Sequence, residues 1–191
     1  MKRILFILML ATALGIAGCA ENSQKSGNNN GGDSDSSGSE TEELTGAFSE
    51  EDLVFVLGGV EFPLNSDAAP LIQAFGEDYE LTSAPSCAYI GEDKWFDYSF
   101  GSVSTYPMDE KDLIDEIYFY DGDYTTRRGI GIGSTLTEVK EKYGEDGFEQ
   151  DDMWVYVLSG DINDLQSPKL YFELTDDIVS GISFYAASNV Q

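Results

Sequence analysis

Apolar and polar positions alternate along several short stretches of this chain, and in two places the spacing lengthens from two residues to three or four. Leu53-Val54-Phe55-Val56-Leu57, the pair Gly58-Gly59 and Val60-Glu61-Phe62-Pro63-Leu64 read as a β-hairpin, because consecutive glycines suit a tight turn between extended runs. Further extended runs are Cys87-Ala88-Tyr89-Ile90, Lys94–Phe100, Ser102–Tyr106 and Ile114–Tyr120. Three more follow at Met153–Leu158, Leu170–Leu174 and Ile178–Tyr185. Helical spacing places Ala68, Leu71, Ile72 and Phe75 on one stripe between Ser66 and Gly76. Ser66 or Asp67 can cap that helix, Gly76 can end it, and Pro70 is tolerated in the first turn. A second helix is predicted between Ser134 and Gly144, with Leu136, Val139 and Tyr143 on one face. Thr135 and Glu138 stand at capping-box spacing, and Gly144 closes it.

These elements predict an α+β fold, since one helix can cover three or four antiparallel strands but not a lone hairpin. Phe75-Gly76 and Tyr143-Gly144 lie 68 residues apart, and the runs Ile117–Tyr120 and Ile182–Tyr185 lie 65 apart. The near-equal separations suggest an internal duplication. The expected architecture is two tandem helix-plus-antiparallel-sheet repeats forming one domain, with the helices on one face. The first repeat would span 48–128 and the second 129–191.

The N-terminus has a different pattern. Lys2 and Arg3 precede the apolar run Ile4–Leu10, and small residues lead to Ile16-Ala17-Gly18-Cys19. A basic start, a short apolar stretch and a small-residue exit form an export signal, residues 1–18. The run is shorter than the roughly 20 apolar residues of a spanning helix. Ile16-Ala17-Gly18-Cys19 resembles the lipobox of bacterial lipoproteins. The resemblance implies cleavage before Cys19, a diacylglyceryl group on its sulfur, and attachment to the extracytoplasmic face of the cell membrane. Two acyl chains hold stably where one binds only marginally. Residues 19–47 are acidic and rich in Ser, Gly and Asn, with almost nothing to bury, and are expected to be a disordered tether. As a flexible coil, the 28 residues after Cys19 reach about 30 Å.

Charge and composition narrow the chemistry. The whole chain carries a formal charge of −26, and from Phe48 onward 30 acidic residues face 7 basic ones. Such an exterior is ill suited to a phosphate backbone and to anionic lipid heads. It can steer a basic partner or a cation. The chain has no histidine, which excludes Ser-His-Asp and Cys-His nucleophile systems and imidazole-dependent zinc sites. With Cys19 lipidated, Cys87 has no disulfide partner and is expected to be a buried thiol on an apolar strand. Asp121-Gly122-Asp123 and Asp161-Ile162-Asn163-Asp164 place oxygen ligands as calcium requires, but neither matches an EF-hand loop, and turn chemistry accounts for both. No metal and no cofactor are expected. Arg127-Arg128, the domain's one adjacent basic pair, could meet an anionic group, but is read as bridging to the acidic surface or simply solvated. Glu116 and Glu173, each on an aromatic strand, are candidates for a glycosidase pair.

The helix opening in Ile-Gly-Ser and closing in Tyr-Gly, followed by strands, resembles the tandem-repeat fold of the beta-lactamase inhibitor protein and the SmpA/OmlA lipoproteins. Ser86-Cys87-Ala88-Tyr89, Ser104-Thr105-Tyr106-Pro107 and Thr125–Gly133 resemble a group of uncharacterised Firmicutes-type lipoproteins. The inhibitor family's disulfides are absent.

Together these features predict a lipid-anchored binding protein rather than an enzyme. On the two closing runs the Ile and Phe positions would face the core, leaving Tyr118, Tyr120 and Tyr185 on an open sheet face. The expected partner is a protein with a basic or polar surface, and not nucleic acid. A carbohydrate-acting or other hydrolase and a purely structural envelope lipoprotein are the alternatives.

Overall fold

The computed structural model describes residues 45–188, which all fall within one compact unit. Cys19, the expected export signal and the expected tether up to residue 44 lie outside them. A short 3-10 turn at Glu50–Asp52 leads into β1 (Val54–Leu57) and β2 (Val60–Pro63), then α1 (Ala69–Phe75). A run of strands follows: β3 (Glu80–Pro85), β4 (Glu92–Tyr98), β5 (Gly101–Met108) and β6 (Lys111–Phe119). After the two-residue β7 (Thr125–Thr126) come α2 (Leu136–Tyr143), β8 (Phe148–Gln150), β9 (Met153–Val157), β10 (Lys169–Thr175) and β11 (Ile178–Tyr185).

Eight strands form one antiparallel sheet in the order β3-β4-β5-β6-β11-β10-β9-β8, and three form a separate sheet, β2-β1-β7. The expected α+β architecture of two helix-plus-sheet repeats with the helices on one face is therefore incorrect. The fold is mostly β. Its helices have only 7 and 8 residues, too little to cover an eight-stranded sheet. The hairpin assigned to the first repeat leaves the large sheet and pairs with Thr125–Thr126, which precede the second helix. The large sheet runs without a break through the pairing of β6 with β11.

The core follows from the strand period of two. Phe96, Val103, Ile117, Phe184, Leu170 and Tyr156 align in one row across β4, β5, β6, β11, β10 and β9, and all are buried. Phe55 of β1 packs edge-on to Phe119 at 5.7 Å and to Phe184 at 6.3 Å. Phe75 at the end of α1 meets Tyr98 at 5.3 Å, and Tyr143 at the end of α2 meets Phe172 at 5.7 Å. The small sheet thus shares the work of covering the core with the helices.

Local signals set both helices. Asp67 accepts a hydrogen bond from the Ala69 amide (3.0 Å) ahead of α1. At α2 the Thr135 hydroxyl accepts from the Glu138 amide (3.2 Å), while the Glu138 carboxylate accepts from the Thr135 amide (2.7 Å). These contacts occupy donors that an uncapped helix start leaves free. Cys87 departs from expectation: it is exposed, and 86–91 is a loop between β3 and β4 rather than a strand.

Candidate functional site: the outer face of the large sheet

The alternation that buries Ile117 and Phe184 turns their neighbours to the opposite face. Trp95, Ser104, Glu116, Tyr185 and Lys169 form one row there, and Asp97, Ser102, Tyr118, Ser183 and Tyr171 form the next. At the centre, across β6, β11, β10 and β9, lies a depression of about 600 Å³. Two carboxylates, Glu116 and Glu173, and three tyrosines, Tyr118, Tyr171 and Tyr185, line it together with Met153 and Ser183.

Both carboxylates stand beside a break in strand register. Ser104 pairs with Glu116 but Thr105 pairs with Ile114, so Asp115 is an extra residue on β6. Glu173 pairs with Gly181 but Leu174 pairs with Val179, so Ser180 is extra on β11. Bulges of this kind re-aim side chains and recur beside functional sites. Gly181 matters for a second reason. A Cβ there would collide with the Glu173 carboxylate and come within 3.2 Å of the Tyr118 ring, so glycine lets these side chains meet across β11.

The Tyr118 hydroxyl donates to Glu173 Oε2 (3.0 Å), and the Ser183 hydroxyl donates to Glu116 Oε1 (2.5 Å). Each hydrogen bond engages one oxygen of its carboxylate, and both donors are neutral. Among the described residues no Lys or Arg forms an ion pair with Glu116 or Glu173. Burial raises the Glu116 pKa above the usual carboxylate range; the charges of Asp115 and Glu173 add to that rise, and the Ser183 hydrogen bond opposes it. Burial also pushes Tyr118 up to about 12, reinforced by its bond to Glu173, and pushes Tyr171 up to about 12. The phenols therefore remain neutral donors at physiological pH. Lys169 lies on the same face, but its ammonium is turned into the loop before β10, donating to the carbonyls of Asp164 (2.7 Å) and Ser167 (2.9 Å).

The structure brings Tyr118 and Tyr185 to the depression and leaves Tyr120 just outside it. Tyr120 is 47% exposed, its ring 5.8 Å from that of Tyr118 and its hydroxyl donating to the Ser99 carbonyl (3.1 Å). Cys19, the expected lipid site, is outside the described residues. Sequence reasoning did not single out Tyr171, Met153 or Ser183. Tyr171 carried a usable signal, because it alternates with the core residues Leu170 and Phe172.

Other candidates have structural roles. Asp161 accepts from the Asn163 amide (2.9 Å), and Asp164 accepts from the Gln166 amide (3.0 Å), so this acidic loop uses its carboxylates to close turns. Arg127 bridges to Glu61 (3.4 Å) and Arg128 to Asp52 (2.6 Å).

The fold and this face define a mostly β protein with an aromatic, acidic recess on an open sheet. No family model, no curated protein and no solved structure matches the chain.

Proposed function

We propose that this chain is a lipid-anchored binding protein of the extracytoplasmic membrane face, engaging a protein with a basic or polar surface through the open face of its large sheet. One observation carries the reading: two carboxylates that pair with no Lys or Arg among the described residues sit among three tyrosines in a single recess. Tyrosine offers large contact area at small entropic cost, and binding surfaces are enriched in it. From Phe48 onward, 30 acidic against 7 basic residues give a formal charge of −23, which would steer a basic partner toward the domain. The location rests on the basic-apolar export signal and on the lipobox-like Ile16-Ala17-Gly18-Cys19.

The test is covalent capture of neighbours on native membranes, comparing the native chain with a Tyr118→Ser/Tyr185→Ser variant at two salt concentrations. A partner captured by the native chain, weakened by salt and lost in the variant is the expected result. Equal capture by both chains would refute a role for this face.

A second reading, a carbohydrate-acting hydrolase, is favoured by two carboxylates, Glu116 and Glu173, lining one recess. Burial raises the pKa of Glu116, as a general acid requires. Binding is preferred because the recess lies on an open sheet face rather than in a cleft. Release of nitrophenol from aryl glycosides, abolished by Glu116→Gln, would reverse that preference.

A further inference from the structure

We infer that the recess is a socket for the cationic head of a Lys or Arg side chain presented by a protein partner. Glu116 and Glu173 supply the counter-charges, and the rings of Tyr118, Tyr171 and Tyr185 form the walls. This inference rests on the proposed binding role of the face and specifies the group it recognises.

Size comes first. The depression holds about 600 Å³ and lies open on the sheet face, so a side chain presented by another protein can reach it. It accommodates a guanidinium or ammonium together with part of its alkyl stem.

Electrostatics then selects the sign. Glu116 and Glu173 both line the recess, so its charge is negative. An anionic or phosphorylated ligand would be repelled. Glu116 and Glu173 each have one oxygen held by a neutral hydroxyl, and among the described residues nothing else donates to either carboxylate, which leaves a second oxygen to accept from an incoming N–H. Burial makes the Glu116 charge costly when alone, and a cation seated beside it relieves that cost.

The walls distinguish an organic cation from a bare metal ion. Calcium sites draw most of their ligands from carboxylates, and among the described residues no three acidic side chains gather to hold a metal ion. Aromatic rings instead favour cations that are large and weakly hydrated, guanidinium above all, through the negative potential of their faces. Met153 adds a soft, adaptable side chain at the β9 edge of the recess. The Tyr118–Glu173 hydrogen bond and the two bulges hold the carboxylates before any ligand arrives, so little ordering remains to be done on binding.

The experiment uses the full-length chain labelled with 13C at its methionine methyl groups. Met153 reports on the recess and Met108, on β5 and exposed, serves as a remote control. Methylguanidinium chloride and a capped Gly-Arg-Gly peptide are titrated at constant ionic strength, with sodium chloride and the citrulline peptide as controls. The expected result is a saturable shift of the Met153 signal with both cationic probes, with Met108 unmoved and neither control active. Glu173→Gln should weaken binding about tenfold, and Glu116→Gln/Glu173→Gln should abolish it. The same charge change at Glu80→Gln, on the far edge strand β3, should leave it intact. Thermal melting of each variant verifies that the fold persists. A Met153 signal that does not move, or that moves equally in the double variant, overturns the socket. Binding of methylguanidinium without the arginyl peptide overturns the assignment to a partner's side chain in favour of a free organic cation. Partner capture by the native chain but not by Tyr118→Ser/Tyr185→Ser is scored separately, so the socket can fail while the binding face stands.

Discussion

Arg128 holds Asp52 through two hydrogen bonds of 2.6 Å, from Nε to Oδ1 and from a terminal nitrogen to Oδ2, with side-chain exposures of only 7% and 3%. The same guanidinium donates to the carbonyls of Lys142 (2.6 Å), Gly46 (2.7 Å) and Ala47 (3.0 Å), and it lies 4.6 Å from the centre of the Tyr143 ring. One side chain therefore ties the C-terminal end of α2 to the 3-10 turn and to the chain that enters the domain. A guanidinium suits this position because its planar fork meets a carboxylate with two parallel bonds.

Removing either partner leaves an uncompensated buried charge. Arg128→Met or Asp52→Ala should lower unfolding stability by about 3–5 kcal/mol. Arg128→Lys should recover only part of the loss, because an ammonium cannot reproduce the fork. Urea denaturation checks this, and a loss below about 1 kcal/mol would show that the pair is not a structural tie.

Glu116 links stability to pH. Its folded pKa lies above the ordinary glutamate value because burial disfavours the charge, with Asp115 and Glu173 adding repulsion. Between the unfolded and folded pKa values, the folded chain keeps a proton that the unfolded chain has released. Stability from this group is thus greatest at acid pH and is lost as pH rises through the folded pKa. Glu116→Gln should melt at a higher temperature than the native chain at pH 8 and at nearly the same temperature at pH 4. A glutamine variant that is less stable at pH 8 would contradict the buried-charge account.

How much of this was legible in the sequence varies with how local the signal is. The alternation Ile182-Ser183-Phe184-Tyr185 separates core from surface, and the structure buries Ile182 and Phe184 while Tyr185 lines the recess. The capping pair Thr135 and Glu138 marked the start of α2 for the same reason. Strand β3 was not legible: Glu80–Pro85 is an edge strand exposed over most of its length, so no hydrophobic period is imposed on it. The separate small sheet was equally hidden, because β7 is two threonines whose pairing with β1 spans about 70 residues of chain. Glu116 and Glu173 could be noted as acids on aromatic strands. Their convergence depends on β6 and β10 flanking β11, which no local pattern encodes.

The proposed anchor has its own test. Cys19→Ser should abolish incorporation of labelled fatty acid and move the protein from the membrane fraction to the soluble exported fraction. Unchanged acylation and retention in that variant would remove the lipid anchor from the proposal.

The last prediction separates two classes of tyrosine. Tyr143 and Tyr156 are essentially fully buried, and their rings lie 5.4 Å apart beneath the sheet. Tyr118 and Tyr185 are partly exposed and line the recess on the other face. Truncating a buried aromatic leaves a cavity and costs about 3–5 kcal/mol, so Tyr143→Ala should unfold the domain at much lower urea. Tyr118→Ser gives up one hydrogen bond, to Glu173, and a partly solvated ring, so its loss should be about 1 kcal/mol. Tyr185→Ser, at a partly exposed residue lining the same recess, should cost no more. Urea midpoints for the three variants check the ordering. If Tyr118→Ser or Tyr185→Ser destabilises the domain as severely as Tyr143→Ala, those rings belong to the core, and the open face loses the surface on which a partner was to dock.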